Sequence, residues 1–273
     1  MNGHEYDGLT ADEVIAMLAM LKGVDPPILV GGQALNILAR HYRVDSFDAQ
    51  FSVDMDFVGD SDEARQVARL WGAEVKVPTM DDNTPNTAIL TIRRAGRAPL
   101  VIDFLESVAE SAFGAEVPSI RITEGGAEMR IMHPLSCLQS RLWNIYGPLA
   151  RRNERETNRA RLAIRVLHAH LTALLNNDDA RGALKVIERL ARRVALSRVS
   201  RKAWAYDHIA VLAAVPASHA SLPESFRTVR WPSIERWVHE ARQADVQERA
   251  QQNDAGSGSG EDDEPDDDCD MTP

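Results

Sequence analysis

The feature that most constrains the fold of this 273-residue chain is a change of pattern at Pro134. Before it, short apolar or alternating runs of strand length are interleaved with amphipathic helical stretches. After it, only the 3.6-residue period of helices continues. Strand patterns fall at 28–30, 53–58, 74–77, 88–93, 100–105, 119–122 and 129–132, and helical ones at 11–22, 33–42 and 62–71. Helical patterns then run over 135–146, 154–174, 179–196, 201–214 and 231–248 without a convincing strand. The expected class is α+β: a mixed-sheet core over 1–134, followed by a separate all-helical domain over 135–250. From 251 to 273 a Gly-Ser-Gly-Ser-Gly linker and an acidic run have nothing to bury, and disorder is expected there.

Charge is segregated rather than low. The net charge is −10, but residues 251–273 carry nine acids and no base, which leaves about −1 for the rest. Residues 151–202 hold fourteen Lys or Arg against five acids, a balance of +9. That stretch reads either as solvated helix faces or as a surface for a phosphodiester backbone. The acidic tail folding back onto it is a third reading. No run of about 18 uncharged apolar residues is present, so a membrane span is not expected. The polar, acidic start argues against a secretory leader, and with only Cys137 and Cys269 a reducing cytoplasm is the expected location.

Chemistry-bearing residues gather in three places. In the run Val53-Asp54-Met55-Asp56-Phe57-Val58, strict alternation puts Asp54 and Asp56 on the same strand face, about 7 Å apart. Like charges so placed repel unless solvent or a cation lies between them. Asp103 sits within Leu100-Val101-Ile102-Asp103-Phe104-Leu105, a buried strand pattern in which an unpaired carboxylate is costly. A salt bridge to Arg93 or Arg94 would answer that cost. So would a shared metal, and three hard oxygen donors suit Mg²⁺ or Mn²⁺ rather than zinc. Finally, Gly31 and Gly32 close the apolar run 28–30 and open a helix. They form either a plain tight turn or the start of a phosphate-binding helix N-terminus.

The series Val30-Gly31-Gly32-Gln33-Ala34-Leu35, Ser52-Val53-Asp54-Met55-Asp56-Phe57 and Ile102-Asp103-Phe104 resembles the nucleotidyltransferase fold of the DNA polymerase β superfamily. Gly-Gly-x-Ala-Leu followed by Ser-x-Asp-x-Asp-Phe is most similar to the abortive-infection AbiEii-like nucleotidyltransferase toxins. The resemblance covers residues 28–146, and the later helices only in outline. It implies transfer of NMP from an NTP, ATP among them, to a hydroxyl, with release of pyrophosphate. Two Mg²⁺ ions (or Mn²⁺) would be held by Asp54 and Asp56, and one of them also by Asp103, which helps deprotonate the attacking hydroxyl. Gly31, Gly32 and Ser52 would hold the triphosphate. The family usually places Ser-Pro and then a helical lysine next; here His133-Pro134 and Arg141-Leu142 stand in those places, and arginine still binds phosphate bidentately. RNA, a tRNA end in particular, is the implied acceptor, and an antitoxin protein the implied partner. The rival expectations are transfer to an aminoglycoside-type small molecule or a protein side chain, and an inactive nucleotide- or RNA-binding module.

His133 reads as a capping residue rather than a base, and His168 and His170 point to different helix faces. Tyr146 and Trp143 are expected to pack the core rather than a nucleobase, and Trp231 and Trp237 to pack the last helix.

Overall fold

The computed structural model describes residues 9–45, 54–82, 84–108, 117–148, 150 and 152–256. Helix α1 (Ala11–Ala19) starts at a reciprocal cap, with Thr10 accepting from Glu13 N and Glu13 accepting from Thr10 N. Strand β1 (Ile28–Val30) is buried along its whole length and runs without a loop into α2 (Gly31–His41). Strand β2 (Met55–Val58) alternates buried and half-buried residues. Helix α3 (Ser61–Trp71) is capped by Asp60 and Glu63 and stopped by Gly72 in the left-handed conformation. Then come β3 (Glu74–Lys76), β4 (Asn86–Ile92) and β5 (Leu100–Leu105), and the hairpin of β6 (Ser119–Glu124) and β7 (Ala127–Met132). That hairpin turns on Gly125-Gly126, both at positive φ, as a two-residue turn of the primed type demands.

The seven strands form one mixed sheet in the order β3-β4-β5-β2-β1-β7-β6. Parallel pairs β2–β5 and β1–β7 flank the antiparallel pair β1–β2 at its centre. On one face Phe57 and Phe104, both fully buried, stack at 5.3 Å, and Trp71 of α3 closes over Phe57 at 6.1 Å. Trp71 also donates from Nε1 to the Met17 carbonyl, which ties α3 to α1.

The helices after the sheet are α4 (Pro134–Tyr146), α5 (Glu154–Asn176), α6 (Ala180–Arg189), α7 (Arg198–Asp207) and α8 (Trp231–Gly256). The helix expected over 179–196 is α6 followed by a π-helical turn at Leu190–Ala195. The one expected over 201–214 ends at His208, whose φ of 52° breaks the register, and resumes as a 3₁₀ turn at Val211–Ala214. Helix α8 carries on through Gly256, six residues into the segment expected to be disordered. Residues 257–273 lie outside the described residues. Trp231 is buried, but Trp237 is 59% exposed and does not pack the helix. No helix among the described residues is long and apolar enough to cross a membrane.

The buried apolar side chains form one cluster from Leu9 to Val238, running through the boundary at 134. A polar knot stitches the same junction. His133 accepts from Leu135 N and so caps α4, and Tyr42 at the end of α2 bonds His170 Nδ1 of α5 at 2.8 Å. The two imidazoles meet edge to face at 5.0 Å. His168, by contrast, faces solvent.

Burial, with His170 and Arg189 adding repulsion, holds His133 down to about 3. Burial and His41 hold His170 down to about 4. Both rings stay neutral in the fold at pH values where unfolded rings take up protons. Their stabilisation is therefore complete above about pH 6.5 and drains away as pH falls toward 4. His170→Asn, which keeps a partner for Tyr42, is expected to remove on the order of 2–3 kcal/mol of that pH dependence. Urea unfolding at pH 7.5 and pH 5 measures it, and an unchanged slope would refute the assignment.

Candidate active site

The three central strands bring the sequence-predicted residues together. Parallel pairing of β2 with β5 sets Asp56 opposite Asp103, and antiparallel pairing of β1 sets Val30 opposite Asp56. Asp103, Asp56 and Val30 thus form a row across the sheet, about 5 Å from one strand to the next. Since in-register neighbours share a face, the two carboxylates project to the same side. Asp54 stands just before β2, two residues from Asp56, and is exposed.

At the end of the row the chain passes from Val30 into Gly31, whose φ is +69°. The Asp56 carboxylate occupies the space where a side chain at Gly31 would begin. Glycine is required here twice over, by backbone conformation and by contact. Gly32 follows, buried, in the first turn of α2, so the positive end of that helix opens beside the carboxylates.

The electrostatics record the crowding. Asp56 is raised to about 6, first by burial and then by Asp103 and Asp54, with Arg141 pulling the other way. Asp103 is raised by burial and by Asp54, and the amide of Asn86 partly offsets this by donating to its Oδ1 at 2.8 Å. The salt-bridge alternative for Asp103 is not what this side chain makes. Arg93 pairs with Glu74 at 2.7 Å, and Arg94 Nε donates to the Ala98 carbonyl, beyond the opposite end of β5. As placed, no group of three or more His, Cys, Asp or Glu among the described residues could hold a metal ion. The donor set still fits a hard dication in kind: oxygen ligands only, mutually repelling, with Asp56 raised chiefly by its burial.

Compared with known proteins, the chain matches no family model, no curated protein and no solved structure.

Arg141 lies on α4, 6% exposed, close enough for its charge to act on Asp56. It is anchored by Glu156 of α5 at 3.4 Å, and Glu156 also takes Arg159 at 2.8 Å. Ser52 lies outside the described residues. Tyr146 is buried and bonded to Asp207, a packing role, while Asn144 of the same helix faces solvent. Sequence reading missed Asn86, Glu156 and Arg159 as site residues. Asn86 precedes the apolar run of its strand and carries no local signal, and Arg159 was one of fourteen basic residues in its stretch.

Gly31→Ala is expected to destabilise by about 2–4 kcal/mol, combining left-handed strain of roughly 1–2 kcal/mol with the clash on Asp56. In an Asp56→Ala background the same change should cost only the strain. Chemical unfolding of the four proteins gives the coupling, and strict additivity would mean that no contact exists.

Proposed function

We propose that this protein is a metal-dependent nucleotidyltransferase that moves NMP from an NTP to a hydroxyl acceptor and releases pyrophosphate. The observation that carries the reading is the pairing of Asp56 with Asp103 on adjacent central strands, with Asp54 at the strand mouth and Gly31 pressed against Asp56 at the start of α2. Carboxylates for cations and a helix N-terminus for phosphate adjoin at one place, which is what phosphoryl chemistry on a polyanion requires.

Asp54 and Asp56 would hold two Mg²⁺ ions, or Mn²⁺, with Asp103 on the one nearer the acceptor. When bound, these ions neutralise charge on the entering and leaving oxygens of an in-line displacement. The chain's own residues do the rest. The backbone N–H groups from Gly31 and Gly32 onward orient the triphosphate, and Arg141 supplies a fixed cation beside it. Asp103, aimed by Asn86, accepts the proton of the attacking hydroxyl as the new O–P bond forms. The bond from the α-phosphorus to its bridging oxygen breaks, and pyrophosphate leaves with the electron pair.

An RNA acceptor is favoured by the exposed cations of the helical half. Arg161 and Arg165 on α5, Arg181, Lys185 and Arg189 on α6, and Arg192, Arg193 and Arg198 beyond it all reach solvent. A tRNA end as acceptor and an antitoxin as partner belong to the same proposal.

Labelled NTPs incubated with Mg²⁺ and total RNA, a purified aminoglycoside or lysate protein should place label on RNA. Asp54→Ala or Asp56→Ala should lower transfer at least 100-fold while circular dichroism stays unchanged. Undiminished transfer by the double variant overturns the assignment, and NTP binding without transfer to any acceptor identifies an inactive binding module.

A further inference from the structure

Arg242 of α8 is half-buried and lies over the Trp204 ring of α7, its guanidinium carbon 4.2 Å from the ring centroid. The ring satisfies the face of the guanidinium, as an aromatic does for any cation above it. It does nothing for the edge. Nε and Nη2, the pair of nitrogens able to grip a carboxylate in two parallel bonds, are buried and have no acceptor among the described residues. Burial lowers the affinity of Arg242 for its proton, and no carboxylate restores it. A buried donor without an acceptor is costly, and a desolvated cation without an anion more so. An apolar side chain at residue 242 would pack α8 on Trp204 without that cost, so packing alone does not account for an arginine here.

Arg242 also lines an open groove of about 640 Å³. Glu235, His239 and Arg242 form a stripe along one face of α8, and Leu212, Val215 and Trp231 give the same groove apolar lining. Its volume is that of a small-molecule site. Glu235 stands two turns before Arg242, roughly 10 Å along the helix axis, and its carboxylate lends Arg242 no support. The charges then select the ligand. One cation without a counter-ion takes one negative charge, and Glu235 farther along the stripe opposes a second. A carboxylate meets that condition better than a phosphate dianion, and the apolar lining calls for an apolar body behind it.

We propose that this groove binds a small organic monocarboxylate, its carboxylate paired with the Arg242 guanidinium and its apolar body set against Leu212, Val215 and Trp231. Trp204 holds the guanidinium in place beforehand, so little side-chain freedom is lost when the anion arrives. The elements that form the groove carry none of Asp54, Asp56 and Asp103, and the site stands independently of the nucleotidyltransferase reading.

Full-length protein is titrated calorimetrically with naphthoate, with its neutral analogue naphthamide, with naphthyl phosphate and with formate, for wild type, Arg242→Gln, Arg242→Lys and Glu235→Gln. Wild type is expected to bind naphthoate saturably at one site, and naphthamide and formate at least tenfold more weakly. Arg242→Gln should weaken naphthoate at least tenfold, and Arg242→Lys should recover part of that loss. Glu235→Gln should tighten naphthyl phosphate more than naphthoate. Failure of wild type to bind naphthoate overturns the proposal, as does naphthamide bound equally well or full naphthoate affinity in Arg242→Gln. Formate bound as tightly as naphthoate removes the apolar body from the assignment, and naphthyl phosphate bound more tightly than naphthoate by wild type removes the carboxylate; either result overturns it. Circular dichroism checks each fold, and should Arg242→Gln not fold, undiminished affinity in Arg242→Lys together with no effect of Glu235→Gln on either anion overturns the proposal.

Discussion

The contact on which the site depends is that between the Asp56 carboxylate and the bare α-carbon of Gly31. It lets β1 pass into α2 with no intervening loop, and it brings a helix N-terminus against a carboxylate on the neighbouring strand. A side chain at residue 31 would displace the Asp56 carboxylate from its place against the helix start. Backbone pairing of Val30 with Asp56 brings acid and helix start together, and the missing methyl group leaves room for the carboxylate between them.

Charge is arranged around that contact in two layers. Three aspartates lie toward the strands, and Arg141, Glu156 and Arg159 toward the helices. Asp56 feels both: its neighbours push its proton affinity up and Arg141 pulls it down.

Local pattern revealed the elements and the acids, but not their meeting. The alternation around Asp54 and Asp56 located β2 to within two residues, and the strand at 100–105 appears with the same bounds. Both follow from the period-two geometry of a half-buried strand. That β2 lies beside β5 in the register that opposes Asp56 to Asp103 is a non-local fact, fixed by the packing of Phe57 on Phe104. Asn86 is invisible for the same reason, since its importance comes from a partner seventeen residues away. The double constraint on Gly31 is equally non-local, since it comes from Asp56 on another strand, and a Gly-Gly pair reads equally well as an ordinary turn. In the helical half the composition gave a count of cations, whereas burial separated Arg141 and Arg159 from those in solvent.

The apolar cluster that runs from Leu9 to Val238 has a consequence for how the chain is made and lost. Because α4 and α5 complete the packing of α2, neither half presents a finished surface to water without the other. A ribosome that has released only the sheet portion holds a sticky intermediate, which must wait for the helices before it is safe from aggregation. Assembly of the site and escape from that hazard are then the same event.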